Sequence, residues 1–116
     1  MIDKTIVLNR VFSGMNYLDK TYPAWIYAFT LEDILMLDIN NPNDCVLAVL
    51  ARNILGKDAN FYNLKNYWGL SYENVSELGF YPELNTKPNL DYDIEYVEEL
   101  NKVWIAMLMG VRYANL

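Results

Sequence analysis

The segment from Cys45 to Leu55 constrains the fold most, because it is almost wholly apolar and has a turn on one side and a glycine on the other. Residues 40–44 are rich in Asn and Pro, and Asp44 at their end is the expected N-cap of a helix that Gly56 ends. A helix with no polar face has to be surrounded by other elements. We therefore expect it at the centre of the core.

Two longer segments have the three-and-four spacing of apolar residues that is typical of amphipathic helices. The first spans residues 3–20 with Asp3 as its cap, and its expected core positions are Val7, Val11, Met15 and Leu18, with Leu8 and Phe12 alongside. The last spans residues 92–112 after Asp91, and its apolar stripe is Val97, Leu100, Trp104, Met107, Leu108 and Val111. With the central helix near 43–55, they predict one all-α domain over residues 1–116, with five or six helices.

The shorter segments are predicted from their capping and stop residues. Residues 24–39 fit either a helix or two short buried extended pieces, and Thr30 with Asp33 favours a helix from Leu31 onward. Helices are also expected over residues 61–68 and 71–78, because each is followed by a glycine. Residues 81–89, with two prolines, are expected to form a connecting loop.

The chain lacks the residues on which most enzyme sites depend. It contains no histidine, its five glycines stand singly, and Cys45 has no histidine to activate it. Residues 91–95 space three acids like the start of a calcium loop, but Tyr96 and Lys102 stand where that loop needs glycine and glutamate. We therefore expect no catalysis, no metal and no cofactor. The alternative is an enzyme that uses either a Cys45 nucleophile activated by its helix N-terminus or a carboxylate pair of Glu98 with Glu95 or Glu99.

Cysteine content and hydropathy bear on the compartment. A single cysteine cannot form an intrachain disulfide, and the first residues lack the basic start and apolar run of a signal peptide. The longest apolar run, residues 103–109, is far shorter than the roughly 20 residues that span a bilayer. A cytoplasmic protein without a membrane segment is expected.

The negative charge is concentrated in one part of the chain. Eight of the fifteen acidic residues lie between residues 73 and 99, where Lys87 is the only base. Such a segment repels nucleic-acid phosphates and attracts basic proteins. Ten tyrosines and three tryptophans also favour a contact surface, since these side chains are enriched in protein interfaces. We therefore expect a protein partner and no direct binding of nucleic acid.

The predicted last helix carries the expected contact residues. Its acids lie opposite the apolar stripe, and two apolar residues fall on or beside the same side in its second half. Other elements of the domain could instead cover these two, or a second copy of the chain could bind there as a homodimer. The predicted partner-binding residues are Tyr92, Glu95, Glu98, Glu99, Ile105 and Met109.

Several short motifs occur in a consistent order along the chain. They are Leu18-Asp19 with Pro23 and Trp25, Leu37-Asp38-Ile39, Cys45-Val46-Leu47, Leu70-Ser71, Gly79-Phe80, and Trp104 with Arg112. This order resembles a family of small phage- and prophage-encoded proteins of uncharacterised function, although Ala48-Val49 stands where that family has Gly-Gln.

The resemblance implies a phage setting and no particular activity. Together with the acidic segment, it leads us to expect a protein that occludes a basic, nucleic-acid-handling host protein, as an anti-CRISPR inhibitor would. The alternative is a structural homo-oligomer with no external partner.

Overall fold

The computed structural model describes residues 3–82 and 94–113, which form an all-α globule. Within these ranges the chain forms six α-helices and a short 3₁₀ helix, and it contains no strand. The predicted fold class and number of helices are confirmed. The helices are α1 (Lys4–Thr21), the 3₁₀ helix (Trp25–Ala28), α2 (Leu31–Leu35), α3 (Val46–Leu55), α4 (Phe61–Tyr67), α5 (Tyr72–Glu77) and α6 (Ile94–Tyr113).

Helix α3 lies at the centre of the core, as its apolar composition predicts. Every residue from Cys45 to Ala51 is at most 5% exposed, and α3 packs against α4 and the 3₁₀ helix. Gly56 ends the helix with a φ of 126°, which favours glycine. The predicted start near residue 43 was wrong. Cys45 takes the N-cap position without a side-chain capping hydrogen bond, and the Asp44 carboxylate accepts a hydrogen bond from the side chain of Asn41 at 3.0 Å.

Helix α1 buries a narrower face than its sequence pattern predicts. Asp3 accepts a hydrogen bond from the Thr5 amide at 2.9 Å, which confirms the predicted cap. The predicted core neighbours Leu8 and Phe12 are exposed, by 38% and 46%. The buried face instead extends to Gly14, on the opposite side of Val7 and Val11.

Gly14 is buried because it lets the end of α5 come very close to α1. A Cβ atom on Gly14 would overlap the carbonyl oxygen of Leu78 and lie 3.0 Å from the Trp104 ring. The next turn contributes in the same way, since Gly79 has a φ of 73° and lies against the backbone of Arg10. Two glycines thus fix the distance between α1 and the turn after α5.

The ambiguous segment 24–39 consists of the 3₁₀ helix, α2 and a loop. Thr30 and Asp33 form the predicted capping box, with hydrogen bonds of 3.1 and 3.0 Å, and α2 begins at Leu31. The alternative of two extended pieces was wrong. Capping boxes from Asn60 and Ser71 likewise start α4 and α5, whose bounds agree with the predicted ones to within a residue.

Helix α6 packs against α1 and α2 through the predicted stripe. Val97, Leu100, Trp104 and Leu108 are buried. Val111 was wrongly predicted as a core residue and is 50% exposed. No residue of α6 after Leu108 is buried, since the last turn of the helix lies at the margin of the core. No helix in the described part of the chain is long and apolar enough to cross a membrane.

Candidate partner-binding groove on helix α6

The structure places the predicted contact residues in different environments. Glu95 and Glu98 are exposed, whereas Glu99 is half-buried. Ile105 and Met109 are also half-buried and pack against the core, so they do not form an exposed apolar strip. We attribute their partial cover to α2 and the 3₁₀ helix, which both pack against α6. Tyr92 lies outside the described residues.

An open groove of about 380 Å³ lies between α6 and the loop after α2, and we call it the α6 groove. Two of the predicted residues, Glu98 and Ile105, line it. The loop after α2 contributes Asp38 to the opposite side. The lining residues are Asp38, Val97, Glu98, Asn101, Lys102 and Ile105.

Asn101 fixes the loop that forms one wall of the α6 groove. Its side-chain amide donates a hydrogen bond to the Leu37 carbonyl at 3.0 Å. Its side-chain oxygen accepts another from the Ile39 amide at 2.8 Å. The Asn101 side chain thus pairs one backbone N–H and one backbone C=O of the loop, which form no hydrogen bond of a helix or a sheet. The sequence reasoning did not identify Asn101, although an asparagine beside the apolar stripe of α6 is a signal that could have found it.

The α6 groove combines an apolar floor with charges of both signs. Val97 and Ile105 supply the apolar surface, while Asp38 and Glu98 supply two carboxylates and Lys102 one ammonium group. Of the eight acids in the 73–99 segment, two lie on α5 and three on α6, and the other three lie outside the described residues. The acidic segment is therefore divided between two helices, and part of its charge lies beside the α6 groove.

A second cavity, which we call the aromatic pocket, has a volume of about 160 Å³ and is partly open to solvent. The sequence pattern did not predict it, because its walls come from three separate stretches of the chain, namely residues 39–45, the start of α4 and residues 80–82. The loop that supplies Asp38 to the α6 groove supplies Ile39 and Asn40 to this pocket. The lining residues are Ile39, Asn40, Pro42, Cys45, Phe61, Tyr62, Phe80, Tyr81 and Pro82.

Cys45 lies in a wall of the aromatic pocket and is 1% exposed. Burial raises the pKa of its thiol to about 11, against the smaller lowering effects of backbone hydrogen bonds at the start of α3 and of the Arg52 charge. The thiol is therefore protonated at neutral pH, and a thiol is a much weaker nucleophile than a thiolate. This environment gives no support to the alternative of a Cys45 nucleophile.

Carboxylates do not gather into a metal site in the part of the chain that the structure describes. Among those residues, no group of three or more His, Cys, Asp and Glu side chains is close enough to hold an ion. The calcium-like segment 91–95 lies mostly outside the described residues. The expectation that the protein works without metal, cofactor or catalysis stays a prediction.

Comparisons with protein families, with curated proteins and with solved structures find no match to this chain. The resemblance to phage-encoded proteins therefore stays a prediction. Several of its motif residues have structural roles here, since Asp19 accepts a hydrogen bond from the Trp25 indole at 2.8 Å and Phe80 stacks on Trp104 at 5.7 Å. Asp38 is the motif residue that lines the α6 groove.

Proposed function

We propose that this protein acts without catalysis, by binding a segment of another protein in the α6 groove and thereby occluding that segment. The observation that carries the proposal is the composition of the groove. Two carboxylates, from Asp38 and Glu98, stand beside the apolar surface of Val97 and Ile105. Two of the six residues predicted from sequence, Glu98 and Ile105, are part of this arrangement.

A basic and partly apolar segment would fit the α6 groove best. Lys and Arg side chains lay their methylene stems along apolar surface while the charged head reaches an acid. In the groove, the stem would lie on Val97 and Ile105 and the head would pair with Asp38 or Glu98. The Lys102 ammonium group would pair with an acidic residue of the same segment. This second pair would fix the direction of the segment, since complementary charges set the register of an interface.

This chemistry supports an inhibitor of a nucleic-acid-handling protein. Such proteins present basic surfaces to phosphates, and carboxylates at the α6 groove would compete for those surfaces. Within a phage-infected cell, an anti-CRISPR or other anti-defence protein acting in the host cytoplasm is one concrete form of the proposal. It rests on the charge of α6 and on the phage-like motif order.

The test compares two charge reversals on the tagged protein. Glu98→Lys changes the α6 groove, and the matched control Glu77→Lys makes the same change on the exposed side of α5. We expect a basic protein to be captured from host lysate by the original chain and by the control, and to be lost with Glu98→Lys. With that partner purified, calorimetry should show at least about a tenfold weaker affinity for Glu98→Lys. Equal capture by all three chains would contradict the proposal.

Self-assembly is a second candidate, favoured by the surface of α2. Leu31, Leu35 and Met36, in and directly after this short helix, are 45%, 65% and 65% exposed. Neighbouring exposed apolar side chains of this kind mark contact surfaces. Sedimentation velocity over a hundredfold range of concentration distinguishes the candidates. A strict monomer excludes the homo-oligomer, whereas an oligomer that Leu35→Lys dissociates supports it.

A further inference from the structure

We infer that the aromatic pocket binds a neutral, single-ring aromatic molecule that carries one small polar group. This site is separate from the α6 groove and does not depend on the proposed function. The inference rests on the rigidity of the pocket, its size, and the distribution of polar groups between its deep wall and its mouth.

The walls are held in place by the fold itself. The Phe61 amide donates to the Pro42 carbonyl at 2.9 Å, which fixes the start of α4 against the turn before α3. The Phe61 ring stacks on Tyr81, with centroids 5.7 Å apart and planes at 21°. Phe80 is held from behind by the stacked Trp104 ring. A pocket with such supports exists before a ligand arrives, which reduces the ordering that binding requires.

The volume limits the part of a ligand that lies inside the pocket to a single ring. Drug-sized ligands and cofactors occupy pockets of roughly 300 to 1,000 Å³, well above the 160 Å³ available here. An apolar protein cavity of about 150 Å³ takes up one benzene molecule. Nucleotides and lipids are therefore too large, whereas a six-membered ring has the right size.

Two polar side chains lie towards the mouth of the pocket. Ile39, Phe61 and Phe80 in the deep wall are at most 3% exposed, whereas Asn40 and Tyr62 are exposed. None of the described side chains that line the pocket is charged at neutral pH, since burial keeps the Cys45 thiol protonated. A charged ligand would lose its hydration without gaining a counter-charge. A neutral ring can enter instead, with a hydroxyl or amide group turned to the mouth.

Phenol is a suitable probe, and two controls are compared with it. Benzoate keeps the ring and replaces the hydroxyl group with a charged carboxylate, and cyclohexanol keeps the hydroxyl group and removes the flat ring. In an amide-proton NMR titration, phenol should shift the Ile39, Cys45 and Phe61 resonances saturably, with a Kd on the order of 0.1 to 1 mM. Both controls should bind at least about tenfold more weakly, and equal binding of benzoate would overturn the inference.

A filled pocket should no longer bind phenol. Ile39→Phe places a larger side chain in the deep wall, and Ile54→Phe makes the same exchange at a half-buried position of α3 that does not line the pocket. Phenol should bind the Ile54 variant and not the Ile39 variant. Saturable binding that persists in Ile39→Phe would place the ligand elsewhere and overturn the inference.

A measurement on the original chain covers the case in which Ile39→Phe does not fold. Iodoacetamide reaches the buried Cys45 thiol only when the surrounding structure opens. Phenol at ten times its Kd should lower the alkylation rate about tenfold, because a bound ligand makes the open state rarer by that factor. An unchanged rate at saturating phenol would show that the pocket is empty and would overturn the inference.

Discussion

The aromatic pocket and the α6 groove share the loop at residues 38–40 as a wall, yet they are built from different kinds of residue. The pocket is walled by core side chains such as Cys45, Phe61 and Phe80, which are at most 3% exposed. The groove is walled largely by partly or fully exposed side chains, including Asp38 and Glu98. Changes at the pocket should therefore alter stability as well as binding, whereas changes at the groove rim should alter binding alone.

Gly14→Ala should give the largest effect, because it disturbs the packing behind the aromatic pocket. The added Cβ would overlap the Leu78 carbonyl and lie 3.2 Å from the Phe80 ring. Overpacking of a rigid core costs about 1–3 kcal/mol and sometimes more. We expect a loss of about 3 kcal/mol in the free energy of unfolding, measured by urea denaturation.

Gly110→Ala is the matched control for this exchange. Gly110 lies in α6, and a Cβ there would meet nothing within 4 Å. The control should therefore raise stability by about 0.5–1 kcal/mol, through helix propensity and a less flexible unfolded chain. If Gly14→Ala is as stable as the control, the close approach of α1 to the end of α5 is not a constraint.

Alkaline pH should give the second-largest loss of stability, through Cys45 in the wall of the aromatic pocket. The Cys45 thiol has a pKa of about 11 in the folded protein against 9.0 for the free group, so the unfolded chain loses this proton first. The contribution of the protonated thiol to the free energy of unfolding is therefore complete below pH 9. It is lost as the pH rises towards 11, and the loss amounts to about 2–3 kcal/mol. Burial also raises the pKa of Tyr96 and extends the same trend to higher pH.

Cys45→Ala tests which group is responsible for the alkaline loss. Urea denaturation between pH 8 and pH 11 should show a steep fall in stability for the original chain and a shallower one for the variant. The variant should be less stable at pH 8, because it leaves a small cavity. Parallel curves for the two proteins would contradict the assignment to Cys45.

Asn101→Ala should give an intermediate effect, because this groove residue also supports the fold. The variant loses the hydrogen bonds to the Leu37 carbonyl and the Ile39 amide. We expect a loss of about 1–3 kcal/mol, since two backbone groups lose their partner. Asn9→Ala, at an exposed position of α1, is the control and should change stability little. Equal stability of both variants would show that Asn101 does not hold the loop.

Glu98→Gln should have the smallest effect on stability. Its side chain is exposed at the rim of the α6 groove, and substitutions at such positions usually change the free energy of unfolding by less than about 0.5 kcal/mol. Partner affinity should fall nevertheless, because the exchange removes a charge and keeps the shape. A clear loss of stability would mean that the rim of the α6 groove supports the fold, as the walls of the aromatic pocket do.

Local sequence signals predicted the helices well and their buried faces less well. The capping box of Thr30 with Asp33 and the glycine after α3 mark helix ends through contacts only a few residues apart. The errors at Leu8, Phe12 and Val111 have another origin. Periodicity shows which residues share a side of a helix, but the neighbouring elements decide how much of that side they cover.

The candidate sites were predictable only in part for the same reason. Glu98 and Ile105 were identified because both lie on one helix, where spacing gives their direction. Asp38 and Asn101 were not predicted. Asn101 is hydrogen-bonded to the loop around Asp38, and the bonded residues are 62 or more positions apart in the chain. The aromatic pocket is lined by three separate stretches of the chain, and no local pattern shows that they meet.

The sequence by itself determined an all-α domain with α3 at its centre, because capping, apolar spacing and an almost wholly apolar segment act over a few residues. The tertiary structure alone decided where α1 and the end of α5 touch, which side of α6 keeps a groove, and that Phe61, Phe80 and Cys45 line one cavity. These outcomes depend on how close two elements can approach. That distance is set by side-chain volume at contacts between residues far apart in the chain.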